Sequence, residues 1–204
     1  MKTRRLFYED VYIQEFEAIV LSCEEKDGKY HVILNATAFY PEGGGQPADK
    51  GMLDNIPVVD VQYIDGELCH IMESPLEEGA QVVGKIDWNW RFDLMQQHSG
   101  EHIVSGMIHE KYGYENVGFH MGEEIITIDL SGMLTWQQVQ EIEKKVNYYI
   151  WMNQQVNIFY PDERQRKFIP YRSKKELTGE IRLVEFPGAD LCACCGLHVT
   201  HASQ

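Results

Sequence analysis

Residues 87–113 read DWNWRFDLMQQHSGEHIVSGMIHEKYG, and this run marks the point where the pattern of the chain changes. It contains no proline, Asp87 or Asn89 can cap the N-terminus of a helix, and Gly113 supplies a C-terminal stop. The run therefore predicts one helix from about Asn89 to Tyr112. In its second half, apolar side chains fall on several faces, which is typical of a buried helix.

The chain before residue 87 has the pattern of short strands joined by close turns. Its clearest signal is Asp65-Gly66, a pair that favours a tight hairpin between two alternating runs. Several short strands with close turns favour a small barrel over a parallel sheet, so we predict a small β-barrel over residues 1–87. The predicted strands lie at 17–22, 30–34, 58–64, 67–72 and 81–86.

The chain after residue 87 mixes helix and strand. Thr135 and Gln138 have the spacing of a capping box, so a second helix is expected at about 135–153. Its predicted apolar stripe comprises Val139, Ile142, Val146 and Ile150. Further strand-like segments lie at 125–130, 156–160 and 181–186. The predicted fold class is therefore α+β, with the small N-terminal β-barrel packed against a C-terminal α+β domain of residues 88–204.

Length and composition exclude several classes of protein. The 204 residues, 44% of them hydrophobic, suffice for a packed core. The sequence contains no run of about eighteen apolar residues, which is the length that a membrane-spanning helix needs. Acidic residues interrupt the basic N-terminus before any apolar run develops, so it does not form a secretion signal. Five cysteines, three of them within residues 192–195, favour metal ligation in a reducing cytosol over disulfides. These features predict a cytoplasmic protein.

The net charge of −14 argues against a protein that grips nucleic acid over its whole surface, because phosphate binding relies on lysine and arginine. One local exception is the segment 160–182, for which charge alone favours a solvated loop and leaves a weak nucleic-acid contact open. Its basic residues are Arg164, Arg166, Lys167, Arg172, Lys174, Lys175 and Arg182.

Two pairs of potential metal ligands share a spacing of four residues. His98 and His102 would project from one face of the predicted helix, about 40° apart, and Cys194 and His198 lie near the end of the sequence. Either pair alone can arise by chance. Together, thiolate and imidazole favour zinc over calcium or magnesium, which prefer oxygen ligands. The spacing leaves open whether such a site is structural or catalytic.

Residues 37–51 form a glycine-rich run, TAFYPEGGGQPADKG. Taken alone, the triple glycine favours an ordinary hairpin loop. However, the run resembles the glycine-rich motif of alanyl-tRNA synthetase editing domains and of free-standing alanyl-tRNA editing proteins. That family also carries His-x-x-x-His after the barrel and Cys-x-x-x-His near the end of the editing module. The same three motifs occur here in the same order, and the resemblance extends from Thr37 to Val199.

This resemblance implies a zinc-dependent hydrolase that deacylates mischarged tRNA(Ala), mainly seryl-tRNA(Ala) and often glycyl-tRNA(Ala). It implies that the Thr37 hydroxyl selects serine, since a buried polar group that alanine leaves unpaired costs about 1–3 kcal/mol. The implied zinc ligands are His98, His102, Cys194 and His198. The implied substrate-binding residues are Thr37, Gly43, Gly44, Gly45 and Gln46.

The last motif departs from the family pattern, because Cys194-Cys195-Gly196-Leu197-His198 stands where Cys-Gly-Gly-Thr-His is usual. The ligand spacing is kept, but Cys195 offers a second thiolate.

The expected reaction is attack by a positioned water. Glu101 has the chemistry of a general base, yet it points about 60° away from His98 on a helix, and a surface or supporting role is an equal alternative. A C-terminal tRNA-binding region beyond residue 204 is also expected.

Two other interpretations stay open. His98-x-x-Glu101-His102 also spells the inverted zinc-peptidase motif, which leaves Cys194, His198 and the glycine-rich run unexplained. A zinc-stabilised module that captures aminoacyl-tRNA without hydrolysing it is the other alternative. Whether the ester of seryl-tRNA survives incubation with the protein distinguishes a deacylase from both.

Overall fold

The computed structural model describes residues 2–122, 125–173 and 178–204, and its chain divides into two compact units, Met1–Leu94 and Met95–Gln204. The mixed α and β content expected from the sequence is confirmed. The division falls within the long helix α1 (Trp88–Tyr112), a few residues after the boundary predicted at residue 87.

The first unit is built mainly of strands. They are β1 (Arg4–Arg5), β2 (Glu15–Lys26), β3 (Lys29–Leu34), β4 (Ala36–Thr37), β5 (Gly51–Leu53), β6 (Ile56–Ile64), β7 (Glu67–Met72) and β8 (Gln81–Ile86), with a 3-10 helix at Leu6–Tyr8. Six strands close into a barrel in the order β2-β3-β7-β6-β5-β8, and neighbouring strands are antiparallel. β1 and β4 form a separate parallel pair.

The alternation of residues along β2 explains how this sheet encloses a core. Phe16, Ala18 and Val20 are buried while the residues between them are exposed, as the two-residue period of a strand requires. The hairpin predicted at Asp65-Gly66 is confirmed between β6 and β7. Its two turn residues have φ angles of 52° and 84°, and such positive values suit the twist of a two-residue hairpin.

The second unit combines the C-terminal part of α1 with strands and two further helices. These elements are β9 (Asn116–Met121), β10 (Ile126–Leu130), α2 (Trp136–Met152), β11 (Asn157–Phe159), α3 (Glu163–Arg166), β12 (Leu183–Phe186) and β13 (Asp190–Ala193). β9 pairs with β10, while β11, β12 and β13 form a three-stranded antiparallel sheet in that order. The core joins residues of both long helices to β12 and includes Ile103, Met107, Ile142, Val146, Val184 and Phe186.

The ends of α1 follow from local signals. Asp87 Oδ1 accepts a hydrogen bond from the backbone N–H of Trp90 at 3.2 Å, so Asp87 rather than Asn89 caps the helix. At the other end, Gly113 has a φ of 69° and donates its N–H to the carbonyl of His109, which ends the helix as predicted.

The capping box predicted for α2 is confirmed, because the side chains of Thr135 and Gln138 each accept a hydrogen bond from the other's backbone. The stripe predicted on this helix is partly wrong. Ile142 and Val146 are buried and Ile150 packs against the core as a partly buried residue, but Tyr149 is buried too, and Val139 is 38% exposed. At 100° per residue, Val139 lies at the edge of the face that Ile142, Val146 and Tyr149 define. Within the described residues, no helix combines the length and the apolar character needed to cross a membrane.

Candidate metal centre

Four side chains from two distant parts of the second unit meet at one point. α1 supplies His98 and His102 from consecutive turns, and the segment that follows β13 supplies Cys194 and His198. One nitrogen or sulfur atom from each of these residues lies within 4.8 Å of the corresponding atoms of the other three. The four residues that the family resemblance assigns to zinc are therefore brought together, and they could hold a metal ion.

The separations in this group fit a tetrahedral site. Cys194 Sγ lies 3.5 Å from His98 Nε2. Bonds of about 2.3 Å to sulfur and about 2.05 Å to nitrogen, at the tetrahedral angle, would place these two atoms about 3.6 Å apart. His198 Nε2 is buried, and His198 Nδ1 is directed to Ser99, so Nε2 is available as a ligand. The donor set and its spacing thus suit zinc.

Hydrogen bonds hold the outer nitrogens of two of the imidazoles. His102 Nδ1 lies 2.8 Å from Asp190 Oδ2, and His198 Nδ1 lies 3.2 Å from Ser99 Oγ. Nε2 of both rings is thereby left to face the other donors. A histidine that donates its second ring N–H to an oxygen is typical of protein metal sites, because the bond fixes both tautomer and ring orientation.

Arg182 holds the loop that carries Cys194. Its Nη1 donates to the carbonyls of Cys194 and Gly196 at 2.9 and 2.8 Å, and the N–H of Gly196 donates to Cys194 Sγ at 3.3 Å. Burial alone would raise the pKa of the Cys194 thiol, but the nearby His98 and the hydrogen bonds from the surrounding imidazoles lower this pKa well below its usual value. The site therefore favours the thiolate, which is the form that binds metals.

The neighbouring cysteine has a different environment. Cys195 is exposed, and it does not belong to the group of four donors found among the described residues. The geometry favours Cys194 as the thiolate ligand, in agreement with the four-residue spacing to His198. A metal analysis of the two cysteine variants tests this assignment.

The histidines differ in their affinity for protons. Burial lowers the pKa of His198 well below its ordinary value. Burial acts in the same direction on His102, but the hydrogen bonds to Asp190 and Cys194 and the charges of Cys194 and Glu101 together outweigh it, and the pKa of His102 is raised to about 10. A proton would therefore compete with a metal ion for Nε2 of His102, and metal binding would release that proton.

A buried polar network lies behind His102, and the sequence analysis did not find it. Asp190 accepts two hydrogen bonds from Arg172, from Nε to Oδ1 at 2.7 Å and from Nη2 to Oδ2 at 2.9 Å. Arg172 Nη2 also donates to Ser105 Oγ at 2.9 Å, and Ser105 donates to Glu101 Oε1 at 2.8 Å. The only signal in the sequence was an acidic residue placed just before the cysteine-rich motif.

Glu101 belongs to this network. It is 5% exposed, and Oε1 accepts hydrogen bonds from both Ser105 and Asn116. A surface role for Glu101, one of the alternatives that its helical position allowed, is therefore wrong. The supporting role agrees with these contacts.

The basic segment 160–182 is not uniformly a solvated loop. Arg182 is 8% exposed and binds the loop of Cys194, and Arg172 pairs with Asp190, so the expectation of solvent exposure is wrong for both arginines. Arg164 and Lys167 are exposed. Two further members of the segment, Lys174 and Lys175, lie outside the described residues.

The glycine-rich run lies in the first unit, between β4 and β5. Gly44 and Gly45 have φ angles of 64° and 82°, which favour glycine, and Gly43 and Gln46 exchange backbone hydrogen bonds across the turn. At the end of the run, Asp49 forms a fully buried ion pair with Arg91. Arg91 also donates to the carbonyls of Ala38 and Val11, so one guanidinium ties the start and the end of the run together.

Thr37 and Gln46, two of the residues assigned to substrate binding, have no exposed surface. Thr37 Oγ1 lies 2.8 Å from His70 Nε2, and it accepts a hydrogen bond from the N–H of Phe39 at 3.1 Å. His70 Nδ1 lies 3.0 Å from the carbonyl of Val32, which can only accept, so Nδ1 carries the proton. Burial lowers the pKa of His70 to about 4, which keeps the ring neutral at pH 7.

The direction of these bonds fixes what Thr37 can offer. Because His70 is neutral and protonated at Nδ1, its Nε2 is an acceptor, and the Thr37 hydroxyl must donate to it. One lone pair of Thr37 Oγ1 is used by Phe39, and the other can still accept a hydrogen bond. No sequence pattern joins His70 to Thr37, because the two residues lie 33 positions apart.

Comparisons with known proteins agree with these motifs. Residues 4–90 match the family described as tRNA synthetases class II (A). The chain is 34% identical to Alanyl-tRNA editing protein Aarsd1-B of Xenopus laevis over 211 residues, which cover 96% of this chain and 51% of that protein. It is 32% identical to Alanyl-tRNA editing protein AlaX-L of Pyrococcus horikoshii over 205 residues, which cover 96% of this chain and 50% of that protein.

A longer protein also matches. The alanine–tRNA ligase of Ignicoccus hospitalis is 34% identical to this chain over 214 residues, which cover 99% of this chain and 23% of the ligase. The chain thus spans about half the length of the curated editing proteins it matches and about a quarter of the ligase. The resemblance indicated by the three sequence motifs is confirmed.

Proposed function

We propose, from the homology of this chain to the alanyl-tRNA editing proteins, that it hydrolyses the aminoacyl ester of mischarged tRNA(Ala). Water adds to the ester carbonyl, the ribose hydroxyl leaves, and the free amino acid is released. The observation that carries this proposal is the convergence of His98, His102, Cys194 and His198 in a chain that is similar to editing proteins over 96% of its length.

The metal proposed for this site is zinc, because three imidazoles and one thiolate form a donor set typical of zinc. When bound, zinc would polarise the ester carbonyl and anchor the substrate. The chain itself fixes the donors: Asp190 orients His102, Ser99 orients His198, and Arg182 holds the loop of Cys194. No general base is assigned, because the contacts of Glu101 with Ser105 and Asn116 suit a supporting role.

Thr37 is proposed to favour serine as the amino acid removed. His70 Nε2 accepts a hydrogen bond from the Thr37 hydroxyl, so the Thr37 oxygen keeps a lone pair that can accept from a serine hydroxyl, whereas an alanine methyl group has nothing to donate. An unpaired buried acceptor costs about 1–3 kcal/mol, which corresponds to a rate ratio of roughly 5 to 150. Because Thr37 is fully buried, this contact requires that the protein open around it when the substrate binds.

Glycyl-tRNA(Ala) is proposed as a second, slower substrate, because glycine leaves the free lone pair of Thr37 uncovered, whereas the methyl group of alanine would lie against it.

The proposed location is the cytoplasm, where charged tRNA is used. None of the five cysteines forms a disulfide in the structure, which suits a reducing compartment.

The test is to incubate the zinc-loaded protein with seryl-, glycyl- and alanyl-tRNA(Ala) and to measure the ester that remains. We expect the seryl ester to disappear fastest and the alanyl ester to persist. Thr37→Val should lower the serine-to-alanine rate ratio by roughly 5- to 150-fold. Thr127→Val, at an exposed position of β10, is the matched control and should leave the ratio unchanged.

Three outcomes would contradict the proposal. A seryl ester that persists while labelled tRNA is retained by the protein would indicate a binding module. Hydrolysis of a peptide in place of the ester would indicate a peptidase. An unchanged rate ratio in Thr37→Val would refute the proposed role of Thr37 while leaving the deacylase activity intact.

A further inference from the structure

His102 is shared by two groups of potential metal donors. The first is the group of four described above. The second consists of His102, Asp190 and Cys192, whose ligand atoms also lie within 4.8 Å of one another and are all buried. One imidazole has two nitrogens on opposite sides of its ring, so His102 faces the second group through Nδ1, which lies 2.8 Å from Asp190 Oδ2, and is left with Nε2 for the first group.

Arg172 acts on the second group. Its guanidinium forms a fork on both oxygens of Asp190, at 2.7 and 2.9 Å, and one of these oxygens also accepts the hydrogen bond from His102 Nδ1. An oxygen that is so engaged has little capacity left for a cation, and a guanidinium beside it repels one.

The backbone holds this arrangement in place. Arg172 donates its N–H to the carbonyl of Leu191, and its own carbonyl accepts the N–H of Ala193, so it is fixed in register beside β13. The side chain of Arg172 is 15% exposed and that of Asp190 is 1% exposed, so solvent screens the pair little. α1 can approach this strand closely because it carries Gly106, where a Cβ atom would collide with Ala189 and Asp190.

We propose that Asp190 and Arg172 are positioning residues that direct the metal to His98, His102, Cys194 and His198. Asp190 holds the His102 ring with Nε2 toward this group, and Arg172 withholds the Asp190 carboxylate from the competing group with Cys192. This inference rests on the proposed zinc site. It adds that the choice between two overlapping sites is made by a carboxylate and a guanidinium that are not ligands themselves.

The first test measures metal affinity in the whole chain, using competition between the protein and a chelator for zinc. Asp190→Asn keeps the shape of the side chain and removes its charge, and it should weaken zinc binding by roughly 10- to 100-fold. The matched control is Asp129→Asn, which removes a carboxylate that faces His120 outside the metal centre, and its affinity should equal that of the wild type.

The second test identifies the ligating atom of His102. In the ¹¹³Cd-loaded protein, a ring bound through Nε2 couples the metal to both Hδ2 and Hε1, whereas a ring bound through Nδ1 loses the coupling to Hδ2. The wild type should show both couplings. Arg172→Met frees the Asp190 carboxylate, and it should weaken the Hδ2 coupling or add a second, weaker equivalent of cadmium. Arg166→Gln, a change in the same segment away from the metal centre, should behave as the wild type.

Circular dichroism of the metal-free variants shows whether a variant has lost its fold, and Arg172→Lys tests the positioning role in a variant that keeps the charge. Because lysine cannot form the fork, the zinc affinity of Arg172→Lys should fall between that of the wild type and that of Arg172→Met. Wild-type affinity and wild-type cadmium couplings in both Asp190→Asn and Arg172→Met would overturn this inference alone. A wild-type protein whose cadmium shows no coupling to His98, His102 and His198 would instead refute the proposed metal site.

Discussion

Acid should destabilise this protein through His70, which is fully buried between the Thr37 hydroxyl and the Val32 carbonyl. The folded state holds the pKa of this ring at about 4, below the ordinary value of 6.5 that it regains on unfolding. Between these two values the unfolded chain binds a proton that the folded chain does not. The contribution of His70 to stability is therefore fully present above about pH 7 and is lost as the pH falls.

The size of the effect follows from the two pKa values. One unit of difference corresponds to about 1.4 kcal/mol, so the free energy of unfolding should fall by about 2 kcal/mol between pH 7.5 and pH 5 and by about 3 kcal/mol at pH 4. The three groups in contact with the ring, Thr37, Val32 and Phe39, do not titrate in this range and cannot offset the loss.

The assay is urea unfolding at pH 7.5 and pH 5, followed by circular dichroism, for the wild type and His70→Gln. The informative quantity is the difference between the two proteins, because it isolates the contribution of His70. His70→Gln should be less stable at pH 7.5 but should lose about 2 kcal/mol less on acidification. His120→Gln, at an exposed histidine, is the control and should follow the wild type. Equal losses in the wild type and His70→Gln would show that His70 is not held neutral by the fold.

Three further predictions concern the metal centre and the surface. Cys194→Ser should lose the single equivalent of zinc while Cys195→Ser keeps it, and the reverse result in a metal analysis would show that the ligand assignment is wrong. Gly106→Ala should lower the free energy of unfolding, measured by chemical denaturation, by about 1–3 kcal/mol and should also weaken zinc binding, because the new methyl group displaces Ala189. Wild-type stability and zinc affinity in this variant would contradict the close approach of α1 to Ala189. Binding of tRNA should be weak, and its affinity should depend on salt concentration as two or three phosphate contacts would require. The reasons are the net charge of −14 and the burial of two arginines of segment 160–182. A salt titration whose slope corresponds to six or more phosphate contacts would refute this prediction.

Features with a local signature were predictable from the sequence. The Asp65-Gly66 hairpin and the capping box of Thr135 and Gln138 depend on residues at most three positions apart, and both are present. The group of four donors was predictable for a related reason, since each pair lies within one turn or one short loop. The convergence of the two pairs was suggested by their chemistry and by the family resemblance, because no spacing rule joins residue 102 to residue 194.

Features that depend on distant partners were not predictable. The sequence of β13, Asp190–Ala193, does not alternate polar and apolar residues, and this strand forms because it pairs with β12. Asp190 meets Arg172 and His102 across 18 and 88 residues, and His70 meets Thr37 across 33. A charged or polar residue needs a hydrogen-bond partner if it is buried, but the sequence does not say which residue that partner is. The fold determines the partner.

The separation of the proposed metal ligands along the chain has a consequence for the unfolded protein. An ion bound to His102 and Cys194 at once closes a loop that runs from residue 102 to residue 194, which includes most of the second unit. Closing a covalent loop of this length removes about 4–5 kcal/mol of chain entropy from the unfolded state, and a tightly held ion acts in the same way for as long as it stays bound. Chelation should therefore open the second unit to proteases at sites far from the ligands, and the pattern of cleavage would report metal occupancy without any assay of the reaction.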